Sequence, residues 1–161
     1  MNRGPFDTDL PLRASGEFLR HRWAYHGEIR GDAVHDWIST SGPDGESGSG
    51  GSGALPFADL GWRVLGPIGS TGWSQQGSWP WWSFRKSYRI GYLNGVVARS
   101  VAAVCIEFKR HSTAAAILID SGHPEFRLFF FPLPPRIRWT SIVALKADGS
   151  ECDRFARPSD H

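Results

Sequence analysis

Histidines and carboxylates crowd one early stretch of the chain. His21, His26 and His35, with Glu28 and Asp36, fall within sixteen residues. Such side chains bind a divalent metal when two to four of them converge on one point. Their spacing works against that. His21 and His26 are five apart, so they face opposite sides of a strand and share no face of a helix. The sequence therefore predicts no metal centre and no cofactor, and leaves His21, His26 and His35 as the residues that could build one. Nucleophile chemistry fares no better. GPIGSTG, at 66–72, lacks the spacing of a nucleophile elbow, and there is no P-loop or dinucleotide fingerprint. Cys105 sits between Val104 and Ile106, an apolar setting that leaves a thiol unreactive. Glu107, Asp120 and Glu125 could serve as acid and base in glycoside cleavage, but no spacing fixes them together. No motif identifies an enzyme.

The aromatic residues are the other chemical feature. GSWPWWSFRK, at 77–86, packs three tryptophans, a phenylalanine and two cations into ten positions. A row of flat rings can stack sugars or bases, and cations beside it can hold phosphate. Alternation directs Trp82 and Phe84 to the core. Trp73, Trp79 and Trp81, rimmed by Arg85, Lys86 and Arg89, are the expected binding surface.

Elements must position these residues, and the text reads as strands. In ARSVAAVCIEFKR, Val104, Ile106 and Phe108 alternate with Ala103, Cys105, Glu107 and Lys109, the period of a half-buried strand. AAAILID, at 114–120, reads as one strand. FRLFFF, at 126–131, is a strand too apolar to lie on a surface on both faces, and PLPP, at 132–135, is expected to end it. SIVALK and SECDRF flank Ala147-Asp148-Gly149 as a hairpin. EFLRHRWAYHGEI and DAVHDWIS read as strand, turn at Arg30-Gly31-Asp32, strand, with Leu19, His21, Trp23 and Tyr25 on one face. A helix capped by Asp32, with Val34, Trp37 and Ile38 inward, is the other reading.

These elements predict one all-β domain over 1–161, an antiparallel β-sandwich of two sheets or a partly open barrel, with long Gly/Ser- and Trp-rich loops. SGPDGESGSGGSG, at 41–53, marks residues 41–54 as a flexible loop or an engineered linker. Residues 1–14 and 156–161 are expected to be loosely ordered. Cys105 and Cys152 could join only if their strands were neighbours, and two free thiols are expected. From GYLNGVVARSVAAVCIEF onward the order of elements resembles small β-sandwich-like modules of uncharacterised high-GC bacterial proteins. Tyr92, Gly95, Val101, Val104 and Glu107, then Phe129 to Pro132, then Ala144 and Asp148-Gly149 carry the likeness. It implies a fold and transfers no catalytic residue. The chain departs from it at Lys146, where an acid is more usual, and in RHST, at 110–113, where a turn glycine is more usual.

Charge completes the expectation. Net charge is +2, yet residues 1–60 carry nine acids and five bases, while residues 61–161 carry seven acids and thirteen bases. No apolar run of membrane-spanning length occurs, and MNRGPFDTDLPLR has no signal-peptide core, so the chain reads as cytoplasmic as written, or extracellular if it is a mature fragment. The expected function is a non-enzymatic interaction module presenting an aromatic and cationic surface to a protein partner or to a second copy. The alternatives are a nucleic-acid binder using the basic, aromatic segment 61–139, and a carbohydrate-binding module or glycan-active enzyme.

Overall fold

In a computed structural model, residues 9–18, 20–42, 47–56, 68–74, 90–110, 112–133 and 137–157 are described. They form strands throughout: β1 (Leu12–Phe18), β2 (His21–Arg30), β3 (Ala33–Ser41), β4 (Ser47–Pro56), β5 (Ile68–Ser74), β6 (Ile90–Ala98), β7 (Ala103–Phe108), β8 (Thr113–Ala115), β9 (Ile117–Asp120), β10 (Phe126–Leu133), β11 (Trp139–Leu145) and β12 (Glu151–Ala156). Three antiparallel sheets result, in the orders β1-β2-β3-β4, β5-β6-β10-β9 and β12-β11-β7-β8. None closes into a barrel, and the fold is sandwich-like.

Two expected sheets are thus three, and the reason lies in β6 and β10. Tyr92, Val96, Leu128 and Phe130 pack against Trp23, Tyr25, Ile29, Val34 and Ile38 of the first sheet. Their neighbours Leu93, Val97, Phe129 and Leu133 pack against Val104, Ile106, Trp139, Ile142 and Ala144 of the third. A strand apolar at consecutive positions needs cover on both faces, and here it has it.

EFLRHRWAYHGEI is not one strand: Glu17 and Phe18 end β1, and β2 begins at His21 after a turn. His21, Trp23, Tyr25 and Ile29 are buried on β2, alternating with more exposed residues. β2 and β3 pair from Arg22 with Ser41 to Arg30 with Ala33, leaving a two-residue turn. Gly31 takes φ 61° there, the left-handed conformation that such a turn demands at its first position. Asp36 is inward, which the helical reading excludes.

Four expectations are corrected. The flexible stretch over 41–54 is in part a strand: β4 pairs with β3 from Ser41 with Ser47 to Ala33 with Pro56. A ladder is built from main-chain groups, which glycine supplies as well as any residue. Leu12, Arg13 and Ala14 belong to β1 and Ala156 to β12, while residues 1–8 and 158–161 lie outside the described residues. AAAILID is two strands, because the chain leaves the third sheet at Ala116 and enters the middle one. Pro132 lies inside β10, opposite Tyr92. β9 pairs with β10 only as far as Phe130, so beyond it that side of β10 has no β9 partner and a missing N–H is tolerated.

Arg20 sits at φ 66° in the connection between Phe18 and His21, which pair across the hairpin. A side chain there costs about 1–2 kcal/mol, of which glycine's extra unfolded-state freedom returns about 0.5–1. Arg20→Gly is therefore expected to raise stability by about 0.5–1 kcal/mol. A higher urea midpoint at unchanged slope is the check.

Candidate functional site

Of the expected binding residues, Trp73 lies on β5, with its backbone opposite Gly91. Trp79, Trp81, Arg85, Lys86 and Arg89 lie outside the described residues, as do Trp82 and Phe84. The histidines separate as their spacing requires. His21 is buried between the sheets. His26 points the other way, stacks on Trp37 at 4.4 Å and shares a hydrogen bond of 3.0 Å with the Leu10 carbonyl. No group of three metal-ligating side chains occurs among the described residues. The carboxylates also part. Arg154 pairs with Glu107 and Glu151, and Arg99 with Asp120 at 3.2 Å. Cys105 and Cys152 are free, with β11 between their strands.

The structure makes two polar assemblies instead. The first is buried. Asp36, on β3, is 2% exposed. Its Oδ2 accepts a hydrogen bond of 3.0 Å from the Tyr25 hydroxyl and another from the Asn94 amide of the middle sheet. Gly27 lies opposite Asp36, and a Cβ there would stand 3.2 Å from Asp36, Leu128 and Tyr25 alike, so a larger residue would require these neighbours to shift. Burial pushes the Tyr25 phenol well above its ordinary value, and the Asp36 charge adds to this. Burial, then the same charge, pushes Tyr92 up to about 12. Both phenols favour the fold in their neutral form. Their contribution is whole below pH about 10 and is lost as pH rises, through about 12 for Tyr92. The urea midpoint is expected to hold to about pH 10 and then fall, and Tyr92→Phe is expected to soften that fall. All three side chains are sealed from water, so the cluster ties the first sheet to the middle one and offers nothing to a ligand.

The second assembly is open. Where β7 ends, a cavity of about 630 Å³ is lined by Phe108, Lys109, Arg110, Ser112, Thr113, Ala114, Phe131, Ile137 and Arg138. Main-chain bonds fix its walls. The Phe108 N–H donates to the Ser112 carbonyl at 2.9 Å and the Lys109 N–H to the Arg138 carbonyl at 3.1 Å, joining the turn after β7 to the segment before β11. Phe108 and Phe131, 5.9 Å apart, pack on the core beneath, and Ile137 is 44% exposed. Arg110 takes φ 95°, the left-handed region. This is the turn in which the resemblance leads one to expect a glycine, and Arg110 holds the conformation instead, at a cost in strain.

The charges at this rim are uncommitted. Lys109, Arg110 and Arg138 are exposed and form no ion pair among the described residues, and no carboxylate stands among the described residues that line the cavity. Arg154 makes the contrast. Its bonds to Glu107 and Glu151 hold both carboxyls below their usual range. The sequence hinted at this site twice, through the basic excess of residues 61–161 and the missing turn glycine. It could not bring Arg138 to Lys109.

Comparison with known proteins finds no family model, no curated protein and no solved structure that matches the chain. Among the described residues no helix is long and apolar enough to cross a membrane.

Proposed function

We propose that the chain is a non-enzymatic binding module that holds an anionic partner in the groove between the β7–β8 turn and the segment before β11. One observation carries the reading: Lys109, Arg110 and Arg138 surround an apolar floor of Phe108, Phe131 and Ile137 with no lining carboxylate to neutralise them. Guanidinium forks match carboxylate and phosphate oxygens, and the floor excludes water from one side of the contact. The reading keeps the aromatic and cationic character expected from sequence and moves it to other residues.

The test is amide shift mapping of ¹⁵N-labelled protein with two probes, polyglutamate and oligothymidylate. Either probe is expected to move the amides at 108–114 and 137–138, with affinity falling as salt rises. Arg138→Glu replaces an attraction by a repulsion, each worth up to about 1 kcal/mol at an exposed site, and is expected to weaken binding about tenfold. Silence of those amides towards both probes would remove the reading.

A further inference from the structure

We infer that the groove takes an extended acidic peptide, which adds itself as a strand to the open edge of β8. This rests on the reading that the groove holds an anion, and names which one.

β8 is the last strand of the third sheet among those described. Its hydrogen-bonding sense follows from its neighbours. The Phe108 N–H bonds the Ser112 carbonyl, and the Ala116 N–H bonds the Val104 carbonyl at 2.8 Å. In an antiparallel ladder bonded and non-bonded pairs alternate. With Ile106 opposite Ala114, the bonded pairs are 108 with 112, 106 with 114, and 104 with 116. Thr113 and Ala115, opposite Glu107 and Cys105, are the non-bonded pairs. Their N–H and C=O groups therefore point away from β7, to the open edge, as four unfilled main-chain positions among the described residues.

Edges of sheets are normally blunted by charge, proline or a bulge. The opposite edge of this sheet, β12, carries Glu151, Asp153 and Arg154. β8 is Thr-Ala-Ala, small and uncharged, and so an unguarded template. Thr113 and Ala114 also line the groove, which puts the edge and the cations in one place. A strand laid there projects every second side chain to one face at a spacing of about 6.6 Å. Carboxylates on that face meet Lys109, Arg110 and Arg138, and the side chains between them point to the opposite face.

Nucleic acid fits less well. Phe108 and Phe131 are half-buried and packed against the core, two rings where stacking on successive bases favours an open row. Arg154 of the same sheet is already held by the carboxylates of Glu107 and Glu151.

The experiment titrates ¹⁵N-labelled protein with a short capped peptide of alternating glutamate and leucine. Its controls are the same peptide N-methylated at alternate backbone nitrogens, and oligothymidylate of equal charge. The plain peptide is expected to shift the Thr113 and Ala115 amides and slow their exchange with water. N-methylation is expected to weaken it about tenfold, the loss of about two hydrogen bonds. Equal binding of the two peptides would overturn strand addition. Binding of oligothymidylate alone would overturn the acidic-peptide partner and leave the anion-binding reading intact. No binding by any probe would remove both.

Discussion

Phe130→Ala is expected to cost about 4 kcal/mol, and Phe129→Ala about the same, although the two residues are adjacent and face opposite ways. Phe130 is wholly buried, with ring centroids at 4.7 Å from Trp23, 5.0 Å from Tyr25 and 5.8 Å from Tyr92. Phe129 is equally buried but lies in the cluster beneath the third sheet. Each truncation removes a ring and leaves a cavity that the flanking layers cannot close. The two share no packing partners across the sheet, so their costs are expected to add. About 8 kcal/mol consumes most of the stability of an ordinary domain, and the double variant is expected to be unfolded in buffer. Urea denaturation of the three variants is the check. A cost below about 1 kcal/mol for either single change would mean that the middle sheet is not covered on that side.

Asn94→Ala is expected to cost about 3 kcal/mol, and Tyr25→Phe about 2. Both side chains donate to one oxygen of Asp36, which is buried between the sheets. Removing either donor leaves that carboxylate short of a hydrogen bond where the charge is least tolerable. The effects are expected to be coupled, with the double variant departing from the sum by more than about 0.5 kcal/mol, because the remaining donor compensates in each single variant. Simple additivity in a double-mutant cycle would contradict the shared-acceptor geometry.

The fold was legible wherever side chains keep a period. His21, Trp23 and Tyr25 announced β2, and Arg30-Gly31-Asp32 announced its turn. FRLFFF announced a largely buried strand, though not that a third sheet would cover its second face. What could not be read has physical causes. Ser47–Pro56 pairs through its backbone, and a Gly/Ser tract carries no side-chain pattern to betray that. The passage of the chain between sheets at Ala116 leaves no mark in a run of alanines. The partners of Asp36 leave no local mark, since Asn94 lies 58 positions away. The groove was half legible. The missing glycine at 110–113 was visible as an irregularity. Its meaning needed the left-handed Arg110 and the approach of Arg138, which only the tertiary fold supplies.

Arg110→Gly tests the account most directly, because one substitution removes both the strain and the cation. Stability by urea and affinity for the alternating glutamate–leucine peptide are measured on the same sample. Stability is expected to rise by about 0.5–1 kcal/mol, as for Arg20→Gly, where no groove is involved. Affinity is expected to fall about fivefold, the loss of one exposed ion pair of about 1 kcal/mol. A more stable protein that binds the peptide as well as before would contradict the account, and would make the conformation of Arg110 no more than the shape of a tight turn.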